Sequence, residues 1–386
     1  MKPSSTDQLP LLGRSRRDDR LDFWRGLCLI DMVLVHLVQK GMQFSPLGHA
    51  FFTEYTRFAA GGYVMLAGMT IGFVYLPRVL DSTRRLSAYR ALIRRAAYIF
   101  WIHVAVTTGQ LVLIPLRGET LPPLIKTFWD ILMFREGYDL LPFYIIMLAL
   151  TPLVLEVVCR RRDWILPILS FGLFAWGHHN DEYKAHSFQI TGTFFFMLWQ
   201  LPFLIGLLAG AKLRKYDALP MAAKVASAVI FWGLSVLFFF GAYAAHFGIA
   251  FEIPYLTFWK NPLTFGEVLR YTALVGAIIT TTNLAWRWIG GTAMSGFVGR
   301  LGRRSLAMYI TQIFLVGWVD KLNDLAAARW GVWGLQFVFM TLAIVLLWCF
   351  AWLLDWRSGV NASKLRAASA SVDVPTSQTR PISVPS

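Results

Sequence analysis

The chain has 386 residues, of which 56% are hydrophobic and 15% are charged, and its mean hydropathy is +0.52. Soluble proteins carry roughly 25% charged residues, so this composition excludes a soluble enzyme and indicates a polytopic membrane protein. The formal net charge of +15 would suggest nucleic-acid binding in a soluble chain, but the placement of the charges argues against that partner.

Hydrophobic runs of about 20 residues, the length that crosses a bilayer, predict an all-α bundle with about ten transmembrane helices. In chain order the predicted spans are 22–40, 58–76, 96–116, 140–158, 164–177, 191–211, 225–247, 267–286, 305–320 and 332–354. We expect three parts: a basic N-terminal segment (1–21), a transmembrane domain (22–354) and a disordered tail (355–386). The tail prediction rests on its Ser, Ala, Val and Pro content.

The basic residues are distributed unevenly between the two sides of the predicted bundle. Of the 37 Lys and Arg residues, 26 fall on the side of the N-terminus and nine on the other, and Arg25 and Arg270 lie within spans. The positive-inside rule therefore predicts that both termini are cytoplasmic. The orientation of the protein in the membrane then accounts for its excess of Lys and Arg residues. We therefore expect no nucleic-acid partner.

The first span holds four ionisable residues, Asp22, Arg25, Asp31 and His36. Such groups are costly in hydrocarbon, so a span that keeps them usually uses them. Arg25 and His36 share one helix face, about 16 Å apart along the axis. Arginine binds phosphate or carboxylate and histidine acts as a base near neutral pH, so the pair suits acyl transfer. Alternatively, Arg25 snorkels to headgroups and His36 bonds a neighbouring helix; Asp31 is expected to pair with another helix or to orient a partner.

The segment 77–95, predicted as a cytoplasmic loop, contains six Arg residues and one Asp. Arg90 and Arg94 would share a face if the segment is helical, and with Arg95 they would suit the phosphates of a nucleotide-like donor such as coenzyme A. The alternative is a topological determinant that also binds anionic lipid. His103, about two turns into the third span, is suited either to catalysis or to a polar contact in the core.

A polar stretch on the predicted outer side contains possible metal ligands. Its residues are His178, His179, Asp181, Glu182 and His186. No standard zinc spacing is matched, so no metal is predicted. We expect a polar, aromatic rim suited to hydroxyl-rich acceptors.

The sequence Asp22-Phe-Trp-Arg25-Gly26-Leu27, with His36 at an Arg-x10-His spacing, resembles the membrane acyltransferases of the acyltransferase-3 superfamily. It is most similar to the OpgC-type branch, which adds succinyl groups to osmoregulated periplasmic glucans. The likeness runs from about residue 18 to 354, and four further stretches carry it: Leu66-Ala-Gly68 to Gly72, where the small-xxx-small pair also predicts close helix packing; Arg94 to His103; Leu141-Pro142-Phe-Tyr144; and Leu301-Gly-Arg303-Arg-Ser305.

The resemblance implies a multi-pass acyltransferase of the bacterial inner membrane. The donor would be cytoplasmic succinyl-CoA or acetyl-CoA, and the acceptor a hydroxyl of a glycan outside the membrane. By position, Arg25 beside Asp22 would hold or orient the donor, and His36 would be the base or the acyl-carrying nucleophile. The Arg90 and Arg94 segment would meet the phosphates of coenzyme A.

Two other classes of function fit the same polar residues. One is a transporter or flippase of a glycan or a lipid-linked sugar, and the other is a non-catalytic component of an envelope assembly complex. Neither needs a thioester, so release of coenzyme A distinguishes them from an acyltransferase.

Overall fold

The computed structural model describes residues 18–39, 58–116, 140–160, 162, 164–179, 196–246, 263–330 and 334–372. These residues form helices and contain no strand. In chain order the helices are α1 (Asp19–Gln39), α2 (Phe58–Val74), α3 (Leu76–Leu80), α4 (Ser82–Leu116), α5 (Leu140–Cys159), α6 (Ile165–His179), α7 (Phe196–Asp217), α8 (Met221–His246), α9 (Phe265–Ile289), α10 (Ala293–Arg303), α11 (Ser305–Trp330) and α12 (Gly334–Val372).

Six stretches of the described residues are long and apolar enough to cross a membrane. They are Phe58–Leu80, Leu140–Cys159, Phe196–Asp217, Met221–Ala242, Phe265–Ile289 and Val338–Ser358. The protein is therefore a helical membrane protein. Each of the ten predicted spans overlaps a helix. That all ten cross the membrane, and that both termini are cytoplasmic, stay predictions.

The segment 77–95, predicted to connect two spans, is helical except at Asp81 and is formed by α3 and the first part of α4. Asp81 caps α4: its carboxylate accepts hydrogen bonds from the Thr83 hydroxyl at 2.6 Å and the Thr83 backbone N–H at 3.0 Å. These bonds lower the pKa of Asp81. The residues that follow are mostly Arg, Leu and Ala, which favour helix, so α4 runs without a break into the predicted third span.

The last helix is longer than its predicted span. α12 continues to Val372, well beyond residue 354, where the hydrophobic run ends. The part of the predicted tail from 373 onward lies outside the described residues.

Helices α2 and α7 pack along a seam of glycines. A Cβ on Gly206 would lie 1.9 Å from the carbonyl oxygen of Met65, and one on Gly210 would lie 2.0 Å from that of Met69. A step of four residues along α2, from Met65 to Met69, moves the contact four residues forward along α7, from Gly206 to Gly210. The two helices therefore run parallel. Gly68 on α2 makes an equally close approach to the backbone of α7, as its small-xxx-small pattern predicts.

Replacing Gly68 with alanine is expected to destabilise the bundle by about 1–3 kcal/mol, the usual range for overpacking. The added Cβ would lie 2.0 Å from the Phe203 carbonyl oxygen, so the helices would have to separate. Thermal unfolding in detergent measures the effect. Gly233→Ala is the matched control, because a Cβ there meets no atom within 4 Å; equal melting temperatures for the two variants would contradict the prediction.

Helix α1 is buried among its neighbours even though it carries several charged residues. Trp24 is 1% exposed, and its indole N–H donates to the Thr282 hydroxyl of α9 at 3.1 Å. On another face, a Cβ on Gly26 would lie 2.0 Å from the Val298 carbonyl oxygen of α10. Within α1, Asp22 and Asp31 are buried, whereas Arg25 and His36 are half-buried and Asp19 is exposed.

Ion pairs connect several helices at the end of the bundle where α1 begins, which we call the basic end. Arg20 at the start of α1 donates to Asp217 at 2.7 and 2.8 Å and to Asn283 at 2.9 Å. Arg304, between α10 and α11, donates to Asp355 of α12 at 3.0 Å. These contacts connect α1 to α7 and α9, and the junction of α10 and α11 to α12.

Candidate active site

The Arg25 side chain is held between two helices. One terminal nitrogen, Nη1, lies 3.5 Å from the Asp22 carboxylate. The other, Nη2, donates to the Thr70 hydroxyl of α2, which itself donates to the Leu66 carbonyl at 2.8 Å. Asp22 is almost fully buried, so a negative charge and a hydroxyl orient the guanidinium within the bundle.

Arg25 lines a cavity of about 80 Å³ that is enclosed mainly by α1, α2, α4, α5 and α11, and that we call the arginine cavity. A second guanidinium, that of Arg95 on α4, also lines it. Two cations face this space, and Asp22 pairs with one of them. The volume is only a few times the roughly 30 Å³ share of a water molecule, so the cavity suits a small anionic or acyl group and not an entire nucleotide.

Three tyrosines from three different helices line the arginine cavity together, and we call them the tyrosine cluster. The Tyr63 and Tyr144 ring centroids are 6.0 Å apart edge to face, and those of Tyr63 and Tyr309 are 6.3 Å apart and stacked. The Tyr63 hydroxyl is hydrogen-bonded to Ser305. The Tyr144 hydroxyl is buried and has no hydrogen-bond partner within the described part of the chain. Buried hydroxyls are normally paired, so Tyr144 is available to donate to a bound molecule.

His36 lies on the same face of α1 as Arg25 but is not one of the described residues that line the arginine cavity. It is half-buried. One turn before it, Met32 contacts Gln312 of α11, whose amide nitrogen lies 2.7 Å from the Met32 sulfur. Both of these residues are buried, so their contact lies between the cavity and His36.

The predicted donor-binding residues of α4 lie in different environments. All three arginines are exposed, but only Arg95 also lines the arginine cavity. His103 is fully buried. It follows Arg95 and Ile99 at intervals of four residues and so lies on the same helix face, deeper in the bundle. The structure therefore brings Arg95 to Arg25 and leaves Arg90 and Arg94 at the surface.

Asp31 and His178 each contact a neighbouring segment near the other end of the bundle. The Asp31 carboxylate accepts a hydrogen bond from the Ala59 backbone N–H in the first turn of α2, where a carboxylate is favoured. The His178 Nε2 lies 2.8 Å from the Leu263 carbonyl oxygen. No group of three or more possible metal ligands occurs among the described residues. Outside them lie the His179 side chain, Asp181, Glu182 and His186.

The sequence analysis assigned no functional role to four polar residues of the arginine cavity, although Ser305 lies in one of the stretches that carry the family resemblance. A usable signal existed for each pair: Tyr63 and Thr70 are seven residues apart, and Ser305 and Tyr309 are four apart. Both spacings place two polar groups on one face of an apolar helix. A search for pairs of polar residues at helical spacing within the predicted spans would therefore have found these four residues.

A buried ion pair in α9 was also missed. The Arg270 Nη2 lies 2.6 Å from the Glu267 carboxylate, and the two side chains are 6% and 0% exposed. Arg270 was recognised only as a charge within a span, although an acidic residue three positions earlier is a standard helical pairing. Sequence alone did not reveal that both charges lie inside the bundle.

The family described as OpgC protein matches residues 17–359. This range includes α1 and every described lining residue of the arginine cavity. No curated protein matches the chain. The chain therefore belongs to the OpgC family, and this membership indicates a membrane protein that modifies glucans by acyl transfer.

Proposed function

We propose that the chain is an inner-membrane O-acyltransferase that moves a succinyl or acetyl group from cytoplasmic acyl-CoA to a hydroxyl of a periplasmic or cell-envelope glycan. The observation that carries this proposal is the arginine cavity, where an oriented Arg25 and an unpartnered Tyr144 hydroxyl face a space of small-acyl size. OpgC family membership supports the same class of reaction.

The basic end of the bundle suits the donor. Arg25 and Arg95 would attract the anionic or polarised part of the acyl thioester, because guanidinium groups bind carboxylate and phosphate in a fixed geometry. The cavity has no room for the nucleotide, so the phosphates of coenzyme A would remain outside. Arg90 and Arg94, exposed on the α4 helix that also carries Arg95, are placed to bind them.

The proposed chemistry uses His36 as the base. It takes the proton of the glycan hydroxyl, the hydroxyl oxygen attacks the thioester carbonyl, the carbon–sulfur bond breaks, and the departing thiolate takes up the proton. Before the acyl group reaches His36, Tyr144 donates to the carbonyl oxygen of the thioester held in the arginine cavity and orients it there. On a covalent route, His36 first takes the acyl group and then passes it to the glycan. Either route requires the acyl group to pass the contact between Met32 and Gln312.

Thiol release from acyl-CoA tests the proposal. The full chain in lipid nanodiscs is mixed with a glucan and with either succinyl-CoA or acetyl-CoA, and free thiol and acylated glucan are measured together. We expect both products in equal amounts over many turnovers when chain and glucan are both present, and without glucan at most one thiol per chain, which only the covalent route releases. A transporter or a non-catalytic component predicts no thiol release, and that outcome would contradict the proposal.

Replacing Tyr144 with phenylalanine is expected to lower the transfer rate by about 10-fold, because the thioester in the arginine cavity loses one hydrogen bond of about 0.5–1.5 kcal/mol. The ring and its contact with Tyr63 are kept, so folding should not change. Single-turnover thiol release measures the rate. Tyr98→Phe, at an exposed position of α4, is the control; similar rates for the two variants would remove Tyr144 from the mechanism.

A further inference from the structure

We propose that the chain binds one anionic phospholipid in a second cavity, which lies between α2, α7, α8 and α9 and which we call the apolar cleft. Its volume is about 300 Å³, and its wall is almost entirely apolar. It shares no described lining residue with the arginine cavity. The apolar cleft therefore has a role of its own, whatever reaction the arginine cavity supports.

The length of the apolar cleft matches one leaflet of a bilayer. Its lining residues on α7 run from Ile205 to Tyr216, which is about 16 Å along the helix at 1.5 Å per residue. Half of the hydrocarbon core is about 15 Å thick. An alkyl chain lying parallel to the helices would therefore fill the cleft, with its headgroup at the basic end.

The apolar cleft is accessible from the surface that faces lipid. α8 packs chiefly along α9, and the α8 side of the cleft is formed by Ser227 and Phe231. On the α7 side, Ala209 is a lining residue and is also exposed. A chain from the bilayer can therefore enter between α7 and α8 without passing through the bundle.

The basic end of the apolar cleft carries groups that bind phosphate. The Lys212 ammonium is exposed there and has no ion pair or hydrogen bond to another described residue. The Tyr216 hydroxyl is buried and lacks a hydrogen-bond partner in the same part of the chain. The neighbouring carboxylate, Asp217, is engaged by Arg20 at 2.7 Å. A phosphate would pair with Lys212 and accept from Tyr216, which favours an anionic lipid.

Native mass spectrometry of the purified full chain, titrated with phosphatidylglycerol or phosphatidylcholine, tests this proposal. We expect one phosphatidylglycerol to be retained, with a preference of about fivefold, which is the contribution of one basic residue near a membrane surface. A diazirine-labelled phosphatidylglycerol should cross-link to peptides of α7 and α8. Equal retention of the two lipids, or cross-links confined to other helices, would overturn the proposal.

Two pairs of variants locate the lipid within the cleft. Ala209→Trp fills it and should abolish retention, whereas Val229→Trp, at an exposed α8 position outside the cleft, should preserve it. Lys212→Ala should remove the preference for phosphatidylglycerol, and Lys215→Ala, on an exposed residue that does not line the cleft, should not. Unchanged retention in Ala209→Trp of normal thermal stability would also overturn the proposal.

Discussion

Replacing Arg25 with lysine is expected to lower acyl transfer by about 10- to 100-fold while the bundle stays assembled. The two terminal nitrogens of the guanidinium contact Asp22 and Thr70 on different helices, and a single ammonium cannot keep both contacts and still face the cavity. Losing one charge-assisted hydrogen bond of about 1.5–3 kcal/mol gives a decrease of this size. Thiol release from acyl-CoA in nanodiscs measures it.

The control for Arg25→Lys is Arg287→Lys, an exposed arginine on α9 that should keep full activity. Arg25→Ala should behave differently, because it removes the guanidinium that lies 3.5 Å from the buried Asp22 carboxylate. Breaking a buried pair in this way costs about 3–5 kcal/mol, so we expect a lower melting temperature. Adding Asp22→Asn should restore stability but not activity; recovery of both would show that Arg25 is only structural.

The arrangement of Asp22, Arg25 and His36 could be predicted from the sequence because it is local. Intervals of three and eleven residues fix relative directions on one helix, whatever surrounds it. The ion pair between Asp22 and Arg25 follows from the same periodicity. Family resemblance then added the acyl-CoA donor, which the residues alone could not name.

The tyrosine cluster could not be predicted, because it depends on how separate helices pack. Tyr63, Tyr144 and Tyr309 lie far apart in the sequence, and hydropathy treats each as one aromatic residue in an apolar run. Their meeting depends on helix crossings and on seams such as the one at Gly68, which set distances between helices. A linear pattern carries no information about these distances.

The continuous α4 was missed for a different reason. A hydropathy window separates polar from apolar residues. It therefore placed the start of the third span at Ala96 and assigned the basic residues before Ala96 to a loop. Helix propensity and the Asp81 cap favour a helix that begins at Ser82, before the hydrophobic run. A helix can leave the hydrocarbon and continue in water, so the helix and the hydrophobic run need not begin at the same residue. Arg95 therefore reaches the cavity from a helix that continues from the predicted connecting segment into the span.

Replacing His36 with alanine is expected to abolish acyl transfer, with a decrease of about 10²–10⁴-fold if it acts as a general base. His36 is half-buried, so its truncation leaves only part of a side-chain volume unfilled in the core. The protein should therefore insert and melt normally. Thiol release with saturating acyl-CoA and glucan is the measurement, and Leu34→Ala on the same helix is the control for truncation.

Imidazole added to His36→Ala separates a chemical role from a structural one. A small base that diffuses into the vacated space should restore part of the activity in proportion to its concentration, and it should not affect Leu34→Ala. If His36 carries the acyl group, the rescued reaction should also release acyl-imidazole into solution, because the carrier is no longer attached to the chain. Near-normal turnover of His36→Ala without imidazole would rule out both routes and leave the chemistry to the arginine cavity itself.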